Sequence, residues 1–336
     1  MIKDAIKKLS ERRDLDSRQM TEVFEEIMGG KAAKEDMKEF LLLLKSKGEN
    51  AEEIAAAAEI MREKCTKVNV STVGLIDTCG TGGAKVNDIN ISTLVALVVA
   101  ACGIKVAKHG NRSFTGKCGS ADILEALGVN INTSAEKVAE LIEKVGFGFI
   151  FAKNFHPAMR NIMEVRRELK TRTIFNILGP LSNPAGAKMQ ILGVFDRKLT
   201  ELMAEALRRL GSERAFVVHG LEGLDEISIK GVTKVSELNA GAVRTYTISP
   251  ADFGIAEGSL EKIRGGDCEY NKTVVLNILN GEKGTPRDMV LMNAAAALRM
   301  VGKVASFKEG MQQAAEAIDS GRALTTLDNL RRMSNT

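Results

Sequence analysis

Two stretches of the chain repeat one order of features: a short apolar run, a glycine-rich loop, then a helix-forming segment. Val73-Gly74-Leu75-Ile76-Asp77 leads into a loop holding Gly80, Gly82 and Gly83, and then into an apolar helix over 92–102. Ile104-Lys105-Val106-Ala107-Lys108 leads into a loop holding Gly110, Gly116 and Gly119, and then into a helix over 121–127 that Gly128 stops. Short apolar runs between turn signals read as buried strands. Strands alternating with helices call for an α/β fold with a mostly parallel central sheet covered on both faces. Further strands are expected at 147–151, 190–195, 214–218 and 244–248, with a helix at 199–210 and another capped by Thr133 with Glu136. Ligands of such sheets sit at the carboxyl ends of the strands. Both glycine loops and Val217-Val218-His219-Gly220 fall there.

The first 65 residues lack this alternation. Ile2, Ile6 and Leu9 share a helical face, and Met20, Val23, Phe24, Ile27 and Met28 repeat at helical spacing before Gly29-Gly30. A third helix runs from Lys34 to Lys47 and stops at Gly48. Asn50 with Glu53 forms a capping box ahead of Ile54, Ala57, Ala58 and Met61. At roughly 150 residues per domain, 336 residues make about two domains. The expected division is a small N-terminal helical domain, 1–70, joined by the helical segment 155–182, and a larger α/β domain, 71–336. The apolar residues Met20, Phe24, Ile27 and 40–44 exceed what so thin a layer buries, so a homodimer through the N-terminal helices is expected.

Composition removes several function classes. Lys plus Arg is 47 against 43 Asp plus Glu, a net charge of +4, and aromatics are 4% with no Trp. Neither a counterion-release surface nor a base-stacking platform fits, so no nucleic-acid partner is expected. The longest apolar run spans only residues 94–104, where a membrane helix needs about 20 residues. The charged start, Met1-Ile2-Lys3-Asp4, lacks an apolar signal region, so a cytoplasmic protein with no membrane contact is expected. The five cysteines, 65, 79, 102, 118 and 268, are odd in number and form no CxxC pair. That argues against a disulfide framework and a cysteine zinc site, and for a reducing compartment. Cys118 beside Lys117 reads as an inert loop residue.

The loops suggest phosphate chemistry. Gly80, Gly82 and Gly83 let backbone N–H groups approach an anion, and Asn90, Ser92 and Thr93 open the helix behind them. The spacing is not a dinucleotide fingerprint, since Lys85 stands where the third glycine belongs. The second loop combines Lys108, His109, Asn111, Arg112, Ser113, Lys117 and Ser120. It fails as a Walker motif because five residues, not four, separate Gly110 from Gly116. A tight turn with nothing bound and a solvated basic loop are the competing readings. Asp225-Glu226, adjacent carboxylates beyond the 214–218 strand, suit Mg²⁺, which takes oxygen ligands and shares phosphate oxygens.

Taken together, the chain resembles the anthranilate phosphoribosyltransferase family of tryptophan biosynthesis. The matching stretches include Gly80-Thr81-Gly82-Gly83, Asn90-Ile91-Ser92-Thr93, Lys108-His109-Gly110-Asn111-Arg112, Gly119-Ser120-Ala121-Asp122, His156-Pro157-Ala158-Met159, Val165-Arg166, Arg172-Thr173-Ile174-Phe175-Asn176 and Leu224-Asp225-Glu226, in family order. The resemblance implies a nucleoside phosphorylase-type arrangement, a helical domain beside an α/β domain. It implies that phosphoribosyl pyrophosphate meets Gly80, Gly83, Asp88, Asn90, Ser92, Thr93, Lys108, Asn111 and Ser120. Anthranilate would meet Gly80, His109, Asn111, His156, Pro157 and Arg166, and Mg²⁺ would be held by Ser92, Asp225 and Glu226. The implied reaction gives N-(5-phosphoribosyl)anthranilate and pyrophosphate. The chain departs from the family pattern at Ala84 (usually Asp), at Asp88 (usually Ser or Thr) and in Phe114-Thr115-Gly116-Lys117. A pyrimidine nucleoside phosphorylase shares the fold and a similar Lys-His-Gly-Asn-Arg loop, but it has no need of Asp225-Glu226. A nucleic-acid binder on the same scaffold conflicts with the charge balance.

Overall fold

A computed structural model describes residues 1–83, 88–113 and 117–336. Ala84 and most of Phe114-Thr115-Gly116-Lys117 lie outside the described residues. The chain opens with helices α1 (Ile2–Ser10), α2 (Ser17–Met28), α3 (Lys34–Lys47) and α4 (Ala51–Glu63). Asp16 with Gln19 and Asn50 with Glu53 close capping boxes on α2 and α4. Glu53 also accepts from Leu15 N at 2.9 Å and from Lys47 Nζ at 2.8 Å, so one fully buried carboxylate ties three segments. Met20, Phe24, Ile27, Phe40, Leu41 and Leu44 are all buried within this one chain. That removes the argument that these faces need a second subunit; of the 40–44 group only Leu42 is exposed, at 44%.

The α/β domain begins with β1 (Ile76–Gly80), α5 (Ile91–Ala101), β2 (Val106–Gly110), α6 (Ser120–Ala126), α7 (Ala135–Val145) and β3 (Phe147–Phe151). The first two strands start two or three residues later than their apolar runs suggest. Gly74 adopts φ +69° and Leu75 N donates to Thr72 O, so 72–75 is a turn that leaves Val73 exposed. The shift draws Asp77, Lys108 and His109 into the buried sheet. The helix-capping side chain of α7 is Ser134, not Thr133, accepting from Lys137 N at 3.2 Å.

The chain then returns to the helical layer through α8 (Ala152–Phe155), α9 (Arg160–Leu169) and α10 (Phe175–Leu178). Ile162, Val165 and Phe175 share a core with Phe24 and Phe40, and Lys34 pairs with Glu164 at 2.8 Å. It re-enters the sheet as β4 (Met189–Gly193), α11 (Leu199–Arg209), β5 (Arg214–Gly220), β6 (Thr233–Asn239) and β7 (Ala242–Ile248). Among the described residues one 7-stranded sheet runs β3-β2-β1-β4-β5-β6-β7. The first five strands in that order are parallel; β6 and β7 form an antiparallel hairpin. Its turn places Ala240 at φ 49° and Gly241 at φ 80°, the positive pair that a tight hairpin demands.

Helices α12 (Cys268–Leu279), α13 (Thr285–Met300), α14 (Phe307–Asp319) and α15 (Arg322–Ser334) complete the domain. They share one core with α5, which explains why α5 is apolar on every side. No described helix is long and apolar enough to cross a membrane.

Candidate active site

The parallel strands β1 and β4 end side by side on glycines, and the segment after β5 folds over them. A Cβ on Gly193 would lie 1.6 Å from the Asp225 carbonyl oxygen, and one on Gly80 would lie 3.0 Å from Asp225 Oδ2. Glycine at both strand ends therefore lets Asp225 approach. Asn293 of α13 fixes the segment further: its Oδ1 accepts from Ile227 N at 3.0 Å and its Nδ2 donates to Ile227 O at 3.1 Å. The backbone N–H of Gly82 faces the Asp225 carboxylate and that of Ser92 faces Glu226, each opposing the burial that raises these carboxylates. Gly80, Ser92, Asp225 and Glu226, distant in sequence, thus meet at the carboxyl ends of the strands.

Lys108 lies beneath them, 1% exposed, and donates to Thr78 O and, at 3.1 Å, to Ser92 Oγ. Burial depresses its pKa, opposed by the charges of Asp77, Cys79, Glu226 and Asp88. Asp88 Oδ1 accepts from Asn90 N at 2.9 Å and Ile91 N at 3.4 Å, holding the start of α5. Its pKa is pushed up to about 7 by burial and then by Asp225. Burial raises Asp225, and burial with Asp88 and Asp225 raises Glu226 well above the carboxylate range. Thr93 Oγ1 is buried without a hydrogen-bond partner among the described residues.

This donor set fits Mg²⁺. Asp88, Asp225 and Glu226 repel one another in a buried place, a cost that a cation relieves, and every candidate donor is oxygen. Among the described residues no three His, Cys, Asp or Glu side chains converge on one point. Substrate oxygens would have to complete the shell, which is how Mg²⁺ is commonly held beside phosphates.

The proposed anthranilate residues separate into two groups. His109 and His156 are buried, with Nε2 atoms 3.1 Å apart, and His109 Nδ1 lies 3.0 Å from Gly179 O. Burial holds His109 at about 3 and His156 at about 4, so both rings are neutral. Arg166 stands on α9 with its guanidinium carbon 5.6 Å from the Phe175 ring centroid. It is half-buried and makes no ion pair among the described residues, while Arg160 and Arg167 beside it are exposed. Pro157 and Asn111 are exposed, and half-buried Ser120 opens α6.

Several participants escaped the sequence reading. Asp77 is 1% exposed and accepts from His109 N at 3.1 Å and Asn183 Nδ2 at 2.8 Å; burial lifts it to about 6. Arg172 reaches from the connection before α10, donates to Gly83 O at 2.6 Å and stacks 3.9 Å over the Phe195 ring. An acidic residue late in a strand, or an arginine in a polar connection, carries no local signal of such partners. The reading of Cys118 as an inert loop residue is overturned. It is disulfide-bonded to Cys268, 150 residues away, with Cα atoms 5.2 Å apart; Cys65, Cys79 and Cys102 are free.

Residues 3–65 match the family model described as glycosyl transferase family, helical bundle domain, and residues 72–324 match glycosyl transferase family, a/b domain. Fold and site thus define a two-domain glycosyl transferase. The chain is 52% identical over 336 residues to the anthranilate phosphoribosyltransferase of Persephonella marina, covering 99% of each chain. It is 50% identical over 334 residues to that of Alkaliphilus metalliredigens, covering 99% of this chain and 98% of the relative. Among solved structures, the Thermus thermophilus anthranilate phosphoribosyltransferase superimposes with a TM-score of 0.93 at 42% identity, covering 99% of this chain and 100% of that one. The Saccharomyces cerevisiae one, solved in complex with PRPP and Mg, gives 0.90 at 28% identity, covering 99% and 98%. The chain belongs to the anthranilate phosphoribosyltransferase family.

Proposed function

We propose that this site transfers the phosphoribosyl group of 5-phosphoribosyl 1-pyrophosphate to the amine of anthranilate, giving N-(5-phosphoribosyl)anthranilate and pyrophosphate. The observation that carries the reading is the Asp225-Glu226 pair, Glu226 buried and Asp225 half-buried, faced by N–H groups of Gly82 and Ser92 at the carboxyl ends of parallel strands. The N–H groups of the 80–83 loop and the start of α5, with Ser92, Thr93, Asn111 and Ser120, bind the pyrophosphate and ribose phosphate. Asp225 and Glu226, with Ser92, hold Mg²⁺, which when bound neutralises the leaving pyrophosphate. Lys108 adds positive charge from below through its contact with Ser92 Oγ. Arg166 takes the anthranilate carboxylate, which the fork of a guanidinium fits. The neutral His109–His156 pair and Gly80 wall the aromatic ring. The amine needs no proton removed before attack, so positioning across the cleft does most of the catalytic work.

The segment 155–182 belongs with 1–70 in this reading, so the chain crosses the cleft between the helical part and 71–336 more than once. Leu42 on α3 supports pairing of two copies through the N-terminal helices, which sedimentation equilibrium tests. A cytoplasmic location suits a biosynthetic transferase. The decisive assay mixes the protein with phosphoribosyl pyrophosphate, anthranilate and Mg²⁺ and follows loss of anthranilate fluorescence. Loss that requires all three supports the reading; no loss overturns it.

A further inference from the structure

Cys118 and Cys268 bring together two segments that belong to opposite ends of the α/β domain. Cys118 lies two residues before Ser120, where α6 begins, and is 5% exposed. Cys268 is the first residue of α12, half-buried, behind the capping residue Asp267. Their Cα separation of 5.2 Å is one a disulfide spans without backbone movement. The other three cysteines offer no such pair. Cys79 is buried against Gln190 Nε2 at 2.9 Å, Cys65 is buried, and Cys102 has its thiol pushed up to about 11 by burial.

The same two segments are bridged a second way, through a residue assigned above to the substrate. Asn90 Nδ2 donates to Cys118 O at 3.0 Å, and Asn90 Oδ1 accepts from Asn271 Nδ2 at 2.8 Å. Asn271 is fully buried and accepts from Gly266 N at 2.8 Å, and a backbone bridge joins Asp88 to Arg264. Both ends of the Asn90 amide are therefore occupied by the two segments that the disulfide joins. While the sulfurs are bonded, Cys118 O and Asn271 are held at Asn90, and the amide is withheld from a ligand.

We propose that Cys118 and Cys268 form a reversible oxidation site whose disulfide weakens binding of phosphoribosyl pyrophosphate by locking Asn90 between residues 118 and 271. The proposal rests on the reading that Asn90 serves that substrate. The oxidant is a small-molecule disulfide such as oxidised glutathione. The more exposed Cys268 thiolate attacks one of its sulfurs and expels one thiolate. The Cys118 thiolate then attacks the Cys268 sulfur of the mixed disulfide and expels the second. Two electrons pass from the cysteines to the oxidant, and the two thiol protons end on the two glutathione molecules released. A dithiol reductant reverses the sequence. In a reducing compartment the pair stands as two thiols and the enzyme binds its substrate, which reconciles the bond with a cytoplasmic location.

The full-length protein is treated with oxidised glutathione or with dithiothreitol, alkylated, and mapped by mass spectrometry, and KM for each substrate is measured on both forms. The expected result is a 118–268 linked peptide only in the oxidised form. The oxidised form should also show a KM for phosphoribosyl pyrophosphate raised at least about fivefold, a KM for anthranilate changed by less than about twofold, and full recovery in dithiothreitol. Cys268→Ser and Cys268→Ala should both keep the reduced enzyme's KM in oxidant. A linked peptide with unchanged KM, no linked peptide after oxidation, or equal loss in the Cys268 variants overturns the proposal. A reduced wild-type protein without turnover overturns instead the phosphoribosyl transfer reading.

Discussion

The Nε2 atoms of His109 and His156 face each other at 3.1 Å. Because Gly179 O can only accept, His109 Nδ1 carries the proton and its Nε2 must accept from His156 Nε2–H. The bond therefore requires a neutral His109, since a proton on its Nε2 would set two N–H groups against each other, whereas a protonated His156 keeps its donor. The unfolded chain takes up these protons near pH 6.5, the folded chain only near 4 for His156 and near 3 for His109. The unfolded state thus binds more protons as pH falls from 6.5 toward 4, and stability drops over that window. Asp77, raised to about 6, pulls the opposite way over part of it, equally in wild type and variant. Replacing both histidines by Gln should flatten the fall of Tm between pH 6.5 and 4.5 by about 2 °C or more. Parallel Tm curves for wild type and variant would defeat the assignment.

Asp225→Ala and Glu226→Ala should each lower kcat/KM at least about tenfold, roughly 1.4 kcal/mol of transition-state stabilisation. Both carboxylates face backbone N–H groups, those of Gly82 and Ser92, in the two segments read as binding phosphate. Titrating activity with Mg²⁺ checks the cause: the variants should need more metal, and wild type should lose activity in EDTA. A double variant fully active in EDTA removes these residues from the site.

What the sequence revealed was whatever a local pattern encodes. The capping box at Asn50 and Glu53 and the apolar helix behind Ser92 carry signals within one or two turns, and all appear in the fold. Asp225-Glu226 was legible because residue type and strand-end position suffice to suggest a cation. The strand β6 was missed because its Thr-Lys-Val-Ser-Glu-Leu-Asn alternation is weak and its turn lacks the Asn-Gly or Asp-Gly signature. Arg172 with Gly83, Asp77 with Asn183, and Cys118 with Cys268 are pairings that only chain topology creates. The supposed excess of apolar surface at Phe24 and Phe40 failed differently. It counted the first helices alone, whereas α9 and α10 return to cover them.

Arg166→Ala should raise the KM for anthranilate at least about tenfold and the KM for phosphoribosyl pyrophosphate far less. A half-buried guanidinium with no carboxylate partner among the described residues is costly unless an anion completes it. Arg166→Lys should recover only part of the loss, since an ammonium lacks the fork. Equal changes in both KM values would instead mark Arg166 as a packing residue against Phe175.

Arg172 donates to Gly83 O at 2.6 Å while stacking over Phe195, whose own N–H donates to Thr81 Oγ1 at 3.1 Å. One arginine thus steadies the glycine loop from the connection before α10. Arg172→Ala should raise the KM for phosphoribosyl pyrophosphate about three- to tenfold and speed amide hydrogen exchange in the 80–83 region. Arg172→Lys, which keeps the charge but not the flat stacking face, should fall between. Unchanged exchange would show that the loop holds its shape without this contact.

Asp88 does two separable things. Its Oδ1 accepts from the amides of Asn90 and Ile91, and its charge adds to those of Asp225 and Glu226. Asp88→Asn keeps an acceptor for the helix start and removes the charge; Asp88→Ala removes both. In EDTA the Asn variant should therefore melt at or above the wild-type temperature, while the Ala variant loses about 1 kcal/mol. If Asp88 supplies negative charge that Ala84 does not, the Asn variant should need at least about threefold more Mg²⁺ for half-maximal activity, while Ala84→Asp shifts that requirement by only a few-fold. An Asn variant as unstable as the Ala variant would mean that the charge itself holds the turn. An unchanged Mg²⁺ profile would reduce Asp88 to the start of α5 and leave the metal to Ser92, Asp225, Glu226 and the substrate.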